Sequence, residues 1–143
     1  MVTGYTTGVF DMFHVGHLSI LKKAKENCDY LIVGVSTDEL VMQYKGKTPI
    51  ISQTDRASIV SSIRYVDKVV YQIDRDKLAA YDEFKFDIMF VGDDWKGNAM
   101  FQEVERKLHS CGSKVQYFPY TRHVSSTKLK EVLHAIELNG EGL

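Results

Sequence analysis

Cysteine is scarce: the 143 residues hold two, Cys28 and Cys111, far apart and with no CxxC pair. That excludes a disulfide framework, and both thiols are expected to be packing residues of a reduced, cytoplasmic protein. No apolar run approaches the roughly 20 residues of a membrane span. The opening MVTGYTTG lacks the basic start and apolar stretch of a signal peptide, so no membrane insertion is expected. Charge of one sign is missing too. The formal net charge is -1, which argues against a broad basic face and hence against a nucleic-acid partner, although a local basic pocket remains compatible with it. There is no repeat, low-complexity segment or linker, and residues 1–143 read as one domain. The hydrophobic share of 44% and charged share of 26% are those of an ordinary soluble protein with a full core.

What is present is alternation. TGYTTGVF reads as a strand, DYLIVGVS as a strand covered on both faces, DKVVYQI, FDIMFVG and KVQYFP as further strands. Between them lie helical patterns. One starts near Gly16, with Leu18, Leu21 and Ala24 inward. QTDRASIVSSIRYV is capped at Ser52 or Thr54, with Ile59, Val60 and Ile63 inward. DKLAAYDEF carries Leu78, Tyr81 and Phe84. NAMFQEVERKLHSCG carries Phe101, Val104 and Leu108 and stops at Gly112. SSTKLKEVLHAIE carries Leu129, Val132, Leu133 and Ile136. TDELVMQYKGKTPIISQ, with Gly46 and Pro49, reads mostly as loop, and LNGEGL as a frayed tail. Strand–helix alternation throughout predicts an α/β fold, a doubly wound parallel sheet of the Rossmann-like kind. Right-handed crossovers then place the segments after the strands along one sheet edge: GVFDMFHVGH, STDEL, GDDW and TRHVSST.

The stretch GVFDMFHVGHLSIL puts two titratable rings, His14 and His17, in an apolar context beside Gly16. A solitary histidine near an apolar face is ordinarily structural, and His109 and His134 on helix surfaces read that way. A zinc site would need a third ligand, and only Asp11 is near, so no metal ligation by the pair is expected. The remaining reading is an anion site where a strand turns into a helix. Free N–H groups and the helix dipole favour negative charge there. Gly16 lets a phosphate approach the backbone, and the rings would donate N–H groups.

GVFDMFHVGH resembles the start of the nucleotidyltransferases that carry an HxGH signature. Three more segments agree in order: RYVDKV (Arg64 to Val69) looks like the RYVDEV of the cytidylyltransferases, GDDW (Gly92 to Trp95) like the glycerol-3-phosphate cytidylyltransferase branch, and RHVSSTKLK (Arg122 to Lys130) like RTEGISTTKIK. In this last segment only His123 and Val124 separate the arginine from the hydroxyls, about two residues fewer than in the family pattern.

The resemblance implies transfer of CMP from CTP, with Mg2+, to a small phosphorylated acceptor, sn-glycerol 3-phosphate foremost. A phosphate monoester has a second pKa of about 6 and is already a dianion. No general base is needed, in keeping with the lack of a Ser-His-Asp or Cys-His arrangement. The resemblance also assigns roles. His14, His17, Lys45 and Arg122 would be catalytic. Val9, Phe10, Asp11, Gly16, Asp94, Ser125, Ser126 and Thr127 would join His14, His17 and Arg122 in binding nucleotide, although the three hydroxyls and Asp94 could equally be helix caps. Lys45, Asp94 and Trp95 would meet the acceptor, with Lys47 a less favoured partner of Lys45; apart from the resemblance, the acceptor's phosphate must meet cations, and Lys77 is available for it. Asp11 would hold the loop or a magnesium ion. Arg56 and Arg64 match family arginines, and Arg64 with Asp67 would serve a homodimer interface or the structure. Phosphocholine, phosphoethanolamine or another polyol phosphate, an adenylyltransferase reaction, and a nucleotide sensor without chemistry are the alternatives.

Overall fold

The computed structural model describes residues 1–119 and 126–138. Five strands form one sheet, all parallel: β1 (Thr3–Gly8), β2 (Tyr30–Ser36), β3 (Lys68–Gln72), β4 (Ile88–Gly92) and β5 (Lys114–Phe118), in spatial order β3-β2-β1-β4-β5. The chain winds outward from β1 to β3, then returns to β4 beside β1. The order therefore reverses between β1 and β4, and in such sheets ligands bind outside the carboxyl ends of the strands at that point.

The helices cover both faces. Helices α1 (Val15–Glu26) and α3 (Gln53–Ser61) pack over one face, where Leu21, Ala24 and Val60 join Leu31, Val33, Val35 and Phe90. Helices α4 (Lys77–Phe84) and α5 (Ala99–Ser110) share the other, around Tyr5, Phe86, Met89, Phe101 and Leu108. Tyr5 stacks on Phe86 with centroids 5.0 Å apart. Strand β2 is buried along nearly its whole length, as its continuous apolar run predicts for a strand covered on both sides. Gly4 is required by close approach: a Cβ there would stand 2.6 Å from the Phe90 ring and 2.8 Å from Cys28 Sγ.

Several expectations are corrected. The segment after β2 is not mostly loop, for Asp38–Lys45 is a helix, α2. Thr37 caps it by accepting from the Leu40 amide, Asp38 and Glu39 sit in its first turn, and Gly46 ends it in the left-handed conformation. Gly46 thus terminates a helix rather than marking its absence. Helix α3 starts at the Ser52 cap but stops at Ser61, and Ile59 is exposed where it was expected inward. The last helix, α6 (Ser126–Leu138), leaves Leu129 and Val132 exposed. Cys111 is exposed as well, so only Cys28 is a packing thiol. Leu138, the first residue of the predicted tail, still belongs to α6; residues 139–143 lie outside the described residues.

Arg56, which the sequence marks only as matching a family arginine, is 1% exposed and is a structural hub. Its Nη1 donates to the carbonyls of Val9 and Ser36, both at 2.7 Å. Its Nε donates to Ile51 O at 2.8 Å, and its Nη2 pairs with Asp38 at 2.7 Å. One guanidinium therefore ties together the ends of β1 and β2 and the start of α3. Arg56→Met keeps much of the stem but orphans those carbonyls. It should lower stability by about 3 kcal/mol, read as a lower urea midpoint with an unchanged denaturant slope.

Candidate active site

The loop from Val9 to His14 crosses the carboxyl end of β1. Two of its residues, Phe10 (φ 56°) and Met12 (φ 49°), are left-handed without being glycine, a conformation that persists only where the surroundings enforce it. Phe10 is seated against Gly8, where a Cβ would come within 2.9 Å of the ring. Between the two strained residues lies Asp11, 2% exposed. Its carboxylate accepts from the amides of Ile50 and Ile51 at 2.8 and 2.9 Å and pairs with Lys130 of α6 at 2.6 Å. Burial alone would push this carboxyl up, but Lys130 and the two amides hold it below the usual carboxylate range. Asp11 thus holds the loop, and it also draws α6 onto it.

The histidine pair is built into the start of α1. His14 is the N-cap, and its Nδ1 accepts from the Gly16 amide at 3.0 Å. His17, three residues on, returns the contact: its Nδ1 accepts from the His14 amide at 3.2 Å. This is a capping box made of two imidazoles in place of a hydroxyl and a carboxylate. The Gly16 amide, expected to face a phosphate directly, is therefore engaged by the His14 ring. In exchange, the network assigns the tautomer. With Nδ1 accepting on each ring, the proton of a neutral imidazole sits on Nε2. The rings stack with centroids 3.9 Å apart, which holds the two Nε2–H groups on neighbouring rings, that of His14 buried. Phe10 and Phe13 flank His17 at 5.4 and 5.3 Å. Burial first, and the neighbouring His14 second, push His17 down to about 4, against a weaker upward pull from Asp11.

Other predicted residues converge from neighbouring connections. Lys77, the first residue of α4, reaches Thr7 Oγ1 on β1 at 2.9 Å. Burial, then repulsion from Arg75, lowers its ammonium to about 8. Lys45 ends α2 with its ammonium 5.7 Å from the Tyr44 ring centroid. Its pKa is lowered by desolvation first and then by Lys130, Lys47 and Arg75, while Asp11 raises it. Trp95 closes the short turn after β4 and leans on buried Phe101 at 5.8 Å. Arg122 and Ser125, and the side chains of Asp94, Ser126 and Thr127, lie outside the described residues; the backbone of Ser126 and Thr127 begins α6.

Arg64 and Asp67 are not brought to this place. Arg64 is exposed and donates to Tyr65 at 3.0 Å, and Asp67 accepts from Leu31 N at 2.8 Å and pairs with Lys25, beside the starts of β2 and β3. Sequence reading missed Asp38 and Lys130. Lys130 carried a usable signal: it stands four residues, one helical turn, after Ser126 on the same face of α6.

A strand-to-helix cradle of donors at the switch point of a doubly wound sheet is the arrangement of α/β proteins that handle nucleotides. The chain belongs to the cytidylyltransferase-like family, whose model matches residues 5–132. It is 38% identical over 127 residues to the glycerol-3-phosphate cytidylyltransferase of Bacillus subtilis, covering 88% of this chain and 92% of that one. It is likewise 38% identical over 132 residues to the FAD synthase of Pyrococcus abyssi, covering 90% and 88%. Among solved structures, the lipopolysaccharide core biosynthesis protein of Thermoplasma volcanium superposes with a TM-score of 0.70 at 30% identity, over 87% of this chain and 99% of that one. The pantoate-beta-alanine ligase of Francisella tularensis, at 15% identity and a TM-score of 0.64 over 92% and 68%, shares the fold. The protein is a nucleotidyltransferase.

The low pKa of His17 has a stability consequence with a definite sign. The unfolded chain takes up this proton near pH 6.5 and the folded chain only near 4. This contribution is complete above pH 6.5 and falls as pH drops through that window, by up to about 3 kcal/mol in all. Chemical denaturation at pH 7 and pH 4.5 should show a loss in the wild type that is smaller in His17→Asn.

Proposed function

We propose that the protein transfers CMP from CTP to sn-glycerol 3-phosphate, releasing pyrophosphate and forming CDP-glycerol. The observation that carries the transfer is the pair of neutral, stacked imidazoles whose Nε2–H donors are fixed by the backbone at a helix start. An oxygen of the acceptor's phosphate attacks the α-phosphorus of CTP. The new P–O bond forms as the bond from that phosphorus to the β-bridging oxygen breaks, and the electron pair leaves with pyrophosphate. Because the acceptor is already a dianion, catalysis lies in positioning and in stabilising charge.

His14 and His17 donate to the α-phosphate and its bridging oxygen. Val9, Phe10 and Gly16 form the floor of the nucleotide site, and Asp11 positions it. Lys45 closes over the phosphates, while Arg122, Ser125, Ser126 and Thr127 take the β- and γ-phosphates. Lys77 meets the acceptor, and Asp94 and Trp95 border it. Magnesium belongs to this reading as a companion of CTP. Asp11 does not fit as its ligand, since Ile50, Ile51 and Lys130 occupy its oxygens. Among the described residues no three His, Cys, Asp or Glu side chains gather to hold a metal. In this reading the ion enters bound to the triphosphate.

The choice of acceptor rests on the Bacillus relatives, on a Staphylococcus aureus glycerol-3-phosphate cytidylyltransferase at 35% identity, and on GDDW. A second reading is supported by the equally similar FAD synthases. FAD is an adenylate joined to a flavin phosphate, which would make ATP the donor. Pyrophosphate release decides between them, measured with CTP or ATP against glycerol 3-phosphate, ribitol 5-phosphate, phosphocholine, phosphoethanolamine and flavin mononucleotide. CTP with glycerol 3-phosphate should lead by at least about tenfold in kcat/KM, and His17→Ala should lower that rate about 10²–10³-fold. A tenfold lead for phosphocholine or phosphoethanolamine overturns the acceptor, and a lead for ATP with the flavin selects the second reading.

The protein is also proposed to be a homodimer through the region of Arg64 to Asp67. Exposed Ile59, Tyr71 and Ile73 lie on the neighbouring α3 and along and just beyond the edge strand β3. Sedimentation at micromolar concentration should give twice the 16.3 kDa chain mass; only monomer would overturn this.

A further inference from the structure

Arg75 has a role in neither the resemblance nor the reading above, yet it links three separate connections. Tyr44 is near the end of α2 after β2, Arg75 lies between β3 and α4, and Trp95 is in the turn after β4. The Arg75 guanidinium carbon stands 4.7 Å from the Tyr44 ring centroid and 5.5 Å from that of Trp95. Both lie inside the roughly 6 Å range of a cation–π contact. Trp95 is itself braced on buried Phe101. An arginine serving only solubility needs no such seat.

Among the described residues no carboxylate or carbonyl accepts a hydrogen bond from Arg75. The two acidic neighbours are engaged elsewhere: Asp76 caps α4 through the Leu78 and Ala79 amides, and Asp74 accepts from the Asp76 amide. A guanidinium is always charged and carries five N–H donors in a plane with no acceptor. Two rings restrict its motion, and the side chain is exposed to solvent. Lys77 and Lys45 stand close enough that Arg75 lowers both their ammonium pKa values. Arg75 thus repels a lysine on each side, partly offset at Lys77 by Asp74 and at Lys45 by Asp11, and a bound anion would relieve that repulsion.

The side of the site decides which anion. The histidines begin α1, on the α1 and α3 face. Helix α6 is drawn to the same side by Lys130 on Asp11, whose other partners, Ile50 and Ile51, lead into α3. Arg75 and Lys77 come from the opposite, α4 face, and Lys77 touches Thr7 there. Attacking and leaving oxygens of a phosphoryl transfer lie roughly in line. With the leaving pyrophosphate toward α6, the attacking phosphate enters from the α4 face.

We propose that Arg75, held between Tyr44 and Trp95, grips the acceptor's phosphate and makes the enzyme selective for acceptors that are phosphate monoesters. This rests on the nucleotidyl-transfer reading but not on glycerol 3-phosphate as the particular acceptor.

Trp95 is the sole tryptophan, so its fluorescence reports on this seat. Glycerol 3-phosphate is titrated against the protein saturated with the α,β-methylene analogue of CTP, with glycerol as the control. The phosphate should change Trp95 emission saturably and glycerol should not. Arg75→Gln should abolish that change and raise the acceptor's KM about 10- to 100-fold, with the KM of CTP moving less than about twofold. Arg75→Lys, lacking the planar fork, should recover little, and Tyr44→Leu should weaken the acceptor several-fold by freeing the guanidinium. The proposal is overturned if Arg75→Gln moves the KM of CTP instead, if it moves neither, or if Arg75→Lys behaves as wild type. If the acceptor screen selects flavin mononucleotide with ATP, the glycerol 3-phosphate assignment fails by itself. The same variants are then measured with the flavin phosphate, where an unchanged acceptor KM in Arg75→Gln overturns the role of Arg75 independently.

Discussion

The site depends on a buried positive charge bonded to the chain's own backbone. Arg56 is enclosed at the carboxyl ends of β1 and β2, where backbone carbonyls left over from the strands need donors. Its guanidinium supplies them to Val9, Ser36 and Ile51 at once and keeps one ion pair with Asp38. An unpaired cation in such a place would be costly, so the carbonyls and Asp38 must remain in position for the arginine to be tolerated. That mutual requirement fixes the strand ends relative to the residues leading into α3.

Asp11 continues the constraint with the opposite charge. It collects the Ile50 and Ile51 amides from the stretch whose carbonyl Arg56 holds, and it takes Lys130 from α6. Between them the two charged groups connect β1, β2, the lead into α3, and α6. The loop of Phe10 and Met12 stays in its left-handed conformation because both ends are tied. The histidines are then delivered to the helix start with their Nδ1 atoms on backbone amides. Neutral rings that donate through Nε2 follow from that geometry, and burial keeps His17 from charging until about pH 4.

The sheet divides labour between its faces. On the α1 side are the histidine cap, Asp11 and the approach of α6; on the α4 side are Lys77, Thr7 and the seat of Arg75. A transfer that needs an entering and a leaving phosphate on opposite sides of one phosphorus is matched by a sheet with helices on both faces and a switch point between β1 and β4. The split of the relatives between a cytidylyltransferase and an FAD synthase fits a shared phosphate chemistry whose outer contacts differ.

The sequence by itself determined the alternation of strands and helices, the parallel sheet, and the placement of GVFDMFHVGH, STDEL and GDDW along one edge, because these follow from periodicity and crossover handedness. It marked His14 and His17 because two rings in an apolar stretch are conspicuous. It misjudged α2, where a capping threonine and a terminating Gly46 were read as loop, and it placed Ile59, Leu129 and Val132 inward, because helical spacing reveals a stripe but not whether anything covers it. Only the tertiary structure decided which histidine nitrogens accept, that Asp11 holds backbone and Lys130, that Arg56 is buried, and that Arg75 lies between Tyr44 and Trp95. These contacts join residues up to 119 positions apart along the chain. No local propensity encodes them; they exist because the sheet brings separate loops to one edge, where buried charge must find its partners.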